Sequence, residues 1–291
     1  MRLVLVHGIN QQDSDAASIE VAWTGWLRAA MAKPAVLAET SVVTPFYGKV
    51  LDQLTRGVSG SGAIAQGADA IDADELAFVV RAMDEVAIAT DIRTPAIAAE
   101  MRADGTAPVA QGKLLESCRA NAIARLIERV SPAHGRFVLR TVRQAYAYLR
   151  KPGVAPAIDA IVLPHLEAGP AVVVAHSLGT VVTFKLMRAL AQAGRSVTCP
   201  LYVTLGSPLA VSAVSAALGV PFEIPTGVAK WINAVEPNDN VTLGKPLDRT
   251  TFCSGIQNIM DVANAVSDSA HDAEGYLGDG RIASLIESAL R

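Results

Sequence analysis

Residues 170–175, Pro-Ala-Val-Val-Val-Ala, form an unbroken apolar run that passes without a loop into a helix-forming stretch over residues 178–193. A strand that is apolar at every position, rather than at alternate ones, has to be covered on both faces, which is the condition of a parallel sheet sandwiched between helices. Residues 3–6 repeat this signal, and shorter strand-like runs, each with a polar residue among the apolar ones, fall at 41–44, 201–205 and 231–235. Helical stretches separate these runs. Ile19, Trp23, Trp26, Leu27 and Ala30 share one stripe behind a cap at Ser14 or Asp15, and residues 281–290 close the chain as an amphipathic helix. Strands alternating with helices predict an α/β fold with a mostly parallel central sheet flanked by helices.

The spacing of these elements predicts an insertion. His7 and Ser177 are 170 positions apart, whereas two βαβ units of about 30 residues each fill far less. Residues 73–151 carry only helical periodicity, with Leu76, Val79, Val80 and Met83, then Leu115, Cys118, Ala122 and Leu126, then Leu139, Val142, Tyr146 and Leu149 at spacings of three and four. The expected division is therefore a core of residues 1–50 and 151–291 and a helical cap of residues 51–150, with the glycine-serine stretch 57–62 as a loop and partial hinge. The insertion is also electrically divided. Nine acidic residues against three arginines over residues 69–104 give −6, and nine basic residues against two glutamates over residues 113–151 give +7. Helices of opposite charge are expected to pack together; the sharper alternative is a basic cap that meets anionic lipid or a partner.

Composition narrows the class further. With 51% hydrophobic residues, 18% charged residues, a net charge of −3 and a pI near 6.0, the 291-residue chain is neither disordered nor broadly cationic enough to favour nucleic acid. No apolar run approaches the roughly 20 residues of a membrane span. The opening Met-Arg-Leu-Val-Leu-Val-His-Gly is too short for a signal-peptide core, so a cytoplasmic protein is expected. Cys118, Cys199 and Cys253 lack C-x-x-C spacing and read as reduced core thiols rather than zinc ligands.

Chemistry concentrates at Ala175-His176-Ser177-Leu178-Gly179. A serine on a strand-to-helix turn, with small residues two before and two after it, projects its hydroxyl above the sheet, and the helix N-terminus behind it favours developing negative charge. This is a nucleophile-elbow pattern. With the early His7-Gly8 and with Leu205-Gly206-Ser207-Pro208-Leu209 after a later strand, the chain resembles the α/β-hydrolase superfamily, in its lipase-like and esterase-like branch where alanine replaces the first glycine of G-x-S-x-G. The resemblance covers about residues 1–50 and 155–291, and none of it falls in 51–150.

That resemblance implies a serine hydrolase with Ser177 as nucleophile and its partners in the order serine, acid, histidine. Of His7, His134, His165, His176 and His271, only His271 follows Ser177. The acid is expected just past a strand, where Asp239 fits best and Glu236 is the runner-up, ahead of Asp248, Asp261 and Asp268. Backbone N–H groups of Leu178 and Ile9 would form the oxyanion hole, with Asn10 or Gln11 bracing the loop. Tyr47 and His176 are the expected substrate-contacting pocket residues, while His7 is structural and Ser207 a turn residue. No metal or organic cofactor is implied. The expected substrate is a small-molecule or lipid-like carboxylic ester. Thioesters and amides use the same machinery, and a catalytically silent binding or scaffold protein is the competing class.

Overall fold

The computed structural model describes residues 1–55, 72–103, 112–130, 134–264 and 269–291. The glycine-serine stretch 57–62 lies outside them, as does Asp268. Six parallel strands, β1 (Arg2–Val6), β2 (Ser41–Val43), β3 (Ala171–His176), β4 (Tyr202–Leu205), β5 (Trp231–Ala234) and β6 (Gln257–Ile259), form one sheet in the order β2-β1-β3-β4-β5-β6. In register, Val6 lies beside Ala175, and His176 beside Leu205.

Around the sheet lie eleven α-helices among the described residues: α1 (Ala16–Ala30), α2 (Gly48–Thr55), α3 (Ala73–Ala89), α4 (Thr94–Ala103), α5 (Lys113–Val130), α6 (His134–Arg150), α7 (Val154–Glu167), α8 (Leu178–Gln192), α9 (Ser212–Leu218), α10 (Ala273–Leu277) and α11 (Gly280–Leu290). Asp15 caps α1 by accepting the Ser18 N–H at 2.8 Å. Alternate strand residues serve the two faces. Leu3, Leu5, Val172 and Val174 pack with α1, α10 and α11. Val4, Val6, Val173 and Ala175 pack with α2, α7 and α8. Each fully buried Val or Leu contributes on the order of 2 kcal/mol, which explains why every β3 position is apolar up to His176.

The insertion has no core of its own. Phe78, Val79, Ile123 and Val142 belong to the same buried cluster as Val4, Val173 and Val181, so α3 to α6 extend one face of the sheet outward. The expected boundary at residue 51 falls inside α2. The two charge blocks meet each other: Arg119 pairs with Asp84 at 2.8 Å, Arg125 and Arg129 both pair with Glu100, and Lys151 pairs with Glu75 at 2.9 Å. Among the described residues no helix is long and apolar enough to cross a membrane. The three cysteines are free and buried.

Candidate active site

The chain leaves β1 for β2 on one side of the sheet and returns across β1 to reach β3 on the other, which puts the reversal of strand order between β1 and β3. Adjacent connections run to opposite faces there, and a crevice opens at the carboxyl ends of the two strands. His7, Gly8 and Ile9 follow β1 into it, and Ser177 follows β3.

Ser177 has φ 54° and ψ −126°, a left-handed conformation that side chains other than glycine rarely adopt and that costs about 1–3 kcal/mol. Close backbone approach holds it there. A Cβ added at Gly8 would lie 2.6 Å from the Ser177 Cβ and 3.2 Å from its Oγ, and one at Gly179 would lie 2.4 Å from the Val6 carbonyl oxygen. Only glycine fits at either place. Leu178 opens the first turn of α8, whose N–H groups have no carbonyl within the helix to pair with. Ile9 lines the crevice beside Ser177. Asn10, at φ 59°, is tied down by Arg140 of α6, whose Nη1 donates to its Oδ1 at 2.9 Å. Gln11 packs beneath Gly48.

Asp239, in the turn after β5, and His271, in the loop before α10, meet through a 2.7 Å hydrogen bond from Nδ1 to Oδ2. Nδ1 is thereby the protonated nitrogen, leaving Nε2 as the basic one. Gly206, at φ 56°, makes room for this pair, since a Cβ there would lie 3.0 Å from Asp239 Oδ2 and 3.1 Å from the His271 ring. Burial works to raise the Asp239 carboxyl. The His271 charge and hydrogen bond, with donation from the Tyr276 hydroxyl and the Val241 N–H, outweigh it and hold the group below the usual carboxylate range. Glu236 is not brought to His271; it accepts from the backbone and side chain of Asn238. Asp248 accepts from Thr250 and Thr251, and Asp261 pairs with Arg281.

Two buried side-chain atoms here have no hydrogen-bond partner: the Oγ of Ser177 and the Nε2 of His271. Both residues line the same cleft of about 620 Å³, walled by Ile9, Ile19, Trp23, Trp26 and Phe137. His176 also lines it and donates from Nε2 to the His271 carbonyl oxygen at 2.7 Å, which fixes the loop carrying His271. Tyr47 requires a correction. It is fully buried, does not line this cleft, stacks on His7 at 4.1 Å between ring centres and donates its hydroxyl to the His7 carbonyl oxygen. Its apolar ring and single donor serve the packing beneath the β1 loop rather than a ligand. The insertion reaches the cleft through Phe137, whose ring lies 5.2 Å from that of His271.

Tyr276 and Phe137 escape the sequence reading. Tyr276 donates to Asp239 Oδ2 at 2.7 Å and accepts the Glu236 N–H at 3.1 Å, so one hydroxyl aligns both Asp239 and the turn that carries it. The only sequence signal is a tyrosine five residues after His271, which has no meaning until α10 folds against β5. Ser207 caps a short turn and shares a 2.8 Å hydrogen bond with Thr180. Among the described residues no group of three or more His, Cys, Asp or Glu side chains is placed to hold a metal ion.

Two neutral histidines underlie the site. Burial lowers His7 to about 4, and burial with the neighbouring His271 charge lowers His176 to about 3. Unfolded histidine binds its proton near pH 6.5, so between pH 6.5 and 4 the unfolded chain holds more protons and folding loses stability as pH falls, by up to about 1.4 kcal/mol per pH unit for each ring. Urea unfolding at pH 7 and pH 5 is expected to register this loss, with a smaller pH dependence in His176→Gln. An unchanged dependence in that variant would show that His176 is not held neutral.

Comparison with protein-family models, with curated proteins and with solved structures gives no match for this chain.

Proposed function

We propose that the chain is a serine hydrolase of the α/β-hydrolase type that cleaves carboxylic esters through an acyl-enzyme intermediate, with residues 51–150 acting as its cap. One observation carries the reading: the unpartnered Ser177 Oγ and the unpartnered His271 Nε2 are buried along one cleft, and Asp239 holds the other nitrogen of that histidine. A buried polar atom without a partner costs about 1–3 kcal/mol, so two of them in one crevice call for a chemical use.

In the proposed cycle, the Ser177 Oγ attacks the acyl carbon as its proton passes to His271 Nε2. Asp239 stabilises the resulting imidazolium, and the N–H groups of Leu178 and Ile9 receive the charge on the carbonyl oxygen. The tetrahedral adduct collapses, the alcohol leaves with the proton from His271, and water then attacks the acyl-serine with His271 again taking the proton. The product is a carboxylic acid, and Ser177 is restored. Serine and histidine need not be hydrogen-bonded before substrate arrives, because such contacts tighten in the complex.

The aromatic walls support an apolar acyl or alcohol portion. With 4-nitrophenyl acyl esters, a burst of nitrophenol matching the enzyme concentration, followed by slower turnover, is expected. A rate no higher than that of Ser177→Ala would point instead to a binding protein on the same scaffold.

A further inference from the structure

One helix of the insertion bears on both sides of the candidate site. Phe137, Arg140, Gln144 and Tyr148 of α6 follow one another at spacings of three and four, which sets them on a single stripe. Gln144 donates to Thr55 of α2 at 3.1 Å and Tyr148 to Asp159 of α7 at 2.6 Å, so the C-terminal half of the stripe is fastened to the core. Near the other end, Gly135 runs so close to the Ala124 carbonyl oxygen of α5 that a Cβ has no room. Held at both ends, α6 presents Phe137 to the His271 ring and Arg140 to the loop that follows β1.

Arg119, Arg125 and Arg129 pair with carboxylates inside the insertion, whereas Arg140 reaches out of it, its Nη1 donating to the Asn10 side chain at 2.9 Å. Asn10 has φ 59°, a left-handed conformation that residues other than glycine seldom hold without support. It directly follows Ile9, whose N–H is the proposed second oxyanion donor. Such a donor is worth most when its direction is fixed before the charge develops, and a displacement of about 1 Å can cost about 100-fold in rate. Resting on the hydrolase reading above, we propose that Arg140 is a positioning residue: by holding the Asn10 side chain it keeps the Ile9 N–H directed at the developing oxyanion. This makes α6 a working part of the site as well as a wall of it. The bond belongs to the loop and not to the surface that receives the body of the substrate, so its loss falls on kcat rather than on KM.

The test is a double-mutant cycle in the full chain between Arg140→Met and Asn10→Ala. It is read by 4-nitrophenyl ester kinetics and by inhibition with an aryl trifluoromethyl ketone, whose serine adduct carries the oxyanion. Each single variant is expected to lower kcat about 10- to 100-fold with KM within about threefold, and to weaken the ketone by a similar factor. The double variant should be no worse than the more impaired single one, because both changes remove the same bond. Losses that multiply in the double variant would show that Arg140 acts through packing alone, and would overturn the inference. A kcat in Arg140→Met within about twofold of the wild type would overturn it too. Asn10 is exposed, so Asn10→Ala carries the test if Arg140→Met fails to fold, and unchanged kcat and ketone affinity there would be equally decisive against it. Labelling of wild-type Ser177 by an uncharged fluorophosphonate separates the two claims. Labelling with an unaffected Arg140→Met refutes the positioning role alone, whereas absence of labelling refutes the hydrolase reading, and the inference with it.

Discussion

Asp239→Asn is expected to lower ester turnover by about 10,000-fold while leaving the chain folded. The carboxylate accepts from His271 Nδ1 and from Tyr276 on the same oxygen, and from the Val241 N–H on the other. An amide in its place can turn an N–H toward the ring, which moves the ring proton to Nε2 and, in the proposed cycle, removes the base for Ser177. In that cycle the missing charge would also fail to stabilise the imidazolium formed as Ser177 attacks. Glu236→Gln should leave turnover within a few-fold of the wild type, because Glu236 is occupied by the turn around Asn238. Tyr276→Phe should give an intermediate loss, since it frees one lone pair on Asp239 without changing the charge. Steady-state kinetics on the three variants, with circular dichroism to confirm folding, decides among them. A large loss in Glu236→Gln with little in Asp239→Asn would move the acid to Glu236.

At the strand-to-helix turn, Gly179→Ala is expected to cause a large loss of stability. A methyl there would fall 2.4 Å from the Val6 carbonyl oxygen and 2.6 Å from that of His7, both backbone atoms, so neither can swing aside. The only relief is for α8 to move off β1, which opens the packing of Val181 and Val182 against the sheet. Overpacking of this kind costs about 3 kcal/mol. Gly25 in α1 provides the control: nothing lies within 4 Å of a Cβ at that position, and Gly25→Ala should be neutral or stabilise by up to about 1 kcal/mol. Urea denaturation of the two variants should separate them clearly. Equal stability would mean that β1 and α8 leave room for a methyl group between them. Because Gly179 also sets the position of Ser177, the variant should lose activity even where it remains folded.

The parts of the fold legible in the sequence are those where burial leaves a pattern. β1, β3, β4 and β5 are covered on both faces and read as largely apolar runs, and α1 and α11 show their stripes. β6, Gln-Asn-Ile, escapes because an edge strand of three residues has little to bury; its Asn258 instead bonds Asn233 and Leu247. α2 hides behind the apparent loop at Pro45 to Gly48, and α7 is disguised by Pro164 near its end. At the candidate site, the strand-to-helix turn, the single downstream histidine and the post-strand acid are local features and can be read from the chain. The roles of Tyr276 on Asp239, of His176 on the His271 carbonyl and of Phe137 over the His271 ring come from segments 37, 95 and 134 residues apart, and only tertiary packing creates them. Tyr47 misleads for the same reason: a tyrosine after a strand near the site reads as a ligand contact until its ring is seen stacked on His7.

Covalent labelling of the purified chain with an uncharged fluorophosphonate, followed by mass spectrometry of the modified peptide, decides whether Ser177 is an activated nucleophile. One adduct is expected, on Ser177, absent from Ser177→Ala and formed much more slowly in His271→Gln, with all three proteins folded. An adduct of undiminished amount in Ser177→Ala, or no adduct in the folded wild type, would contradict that role.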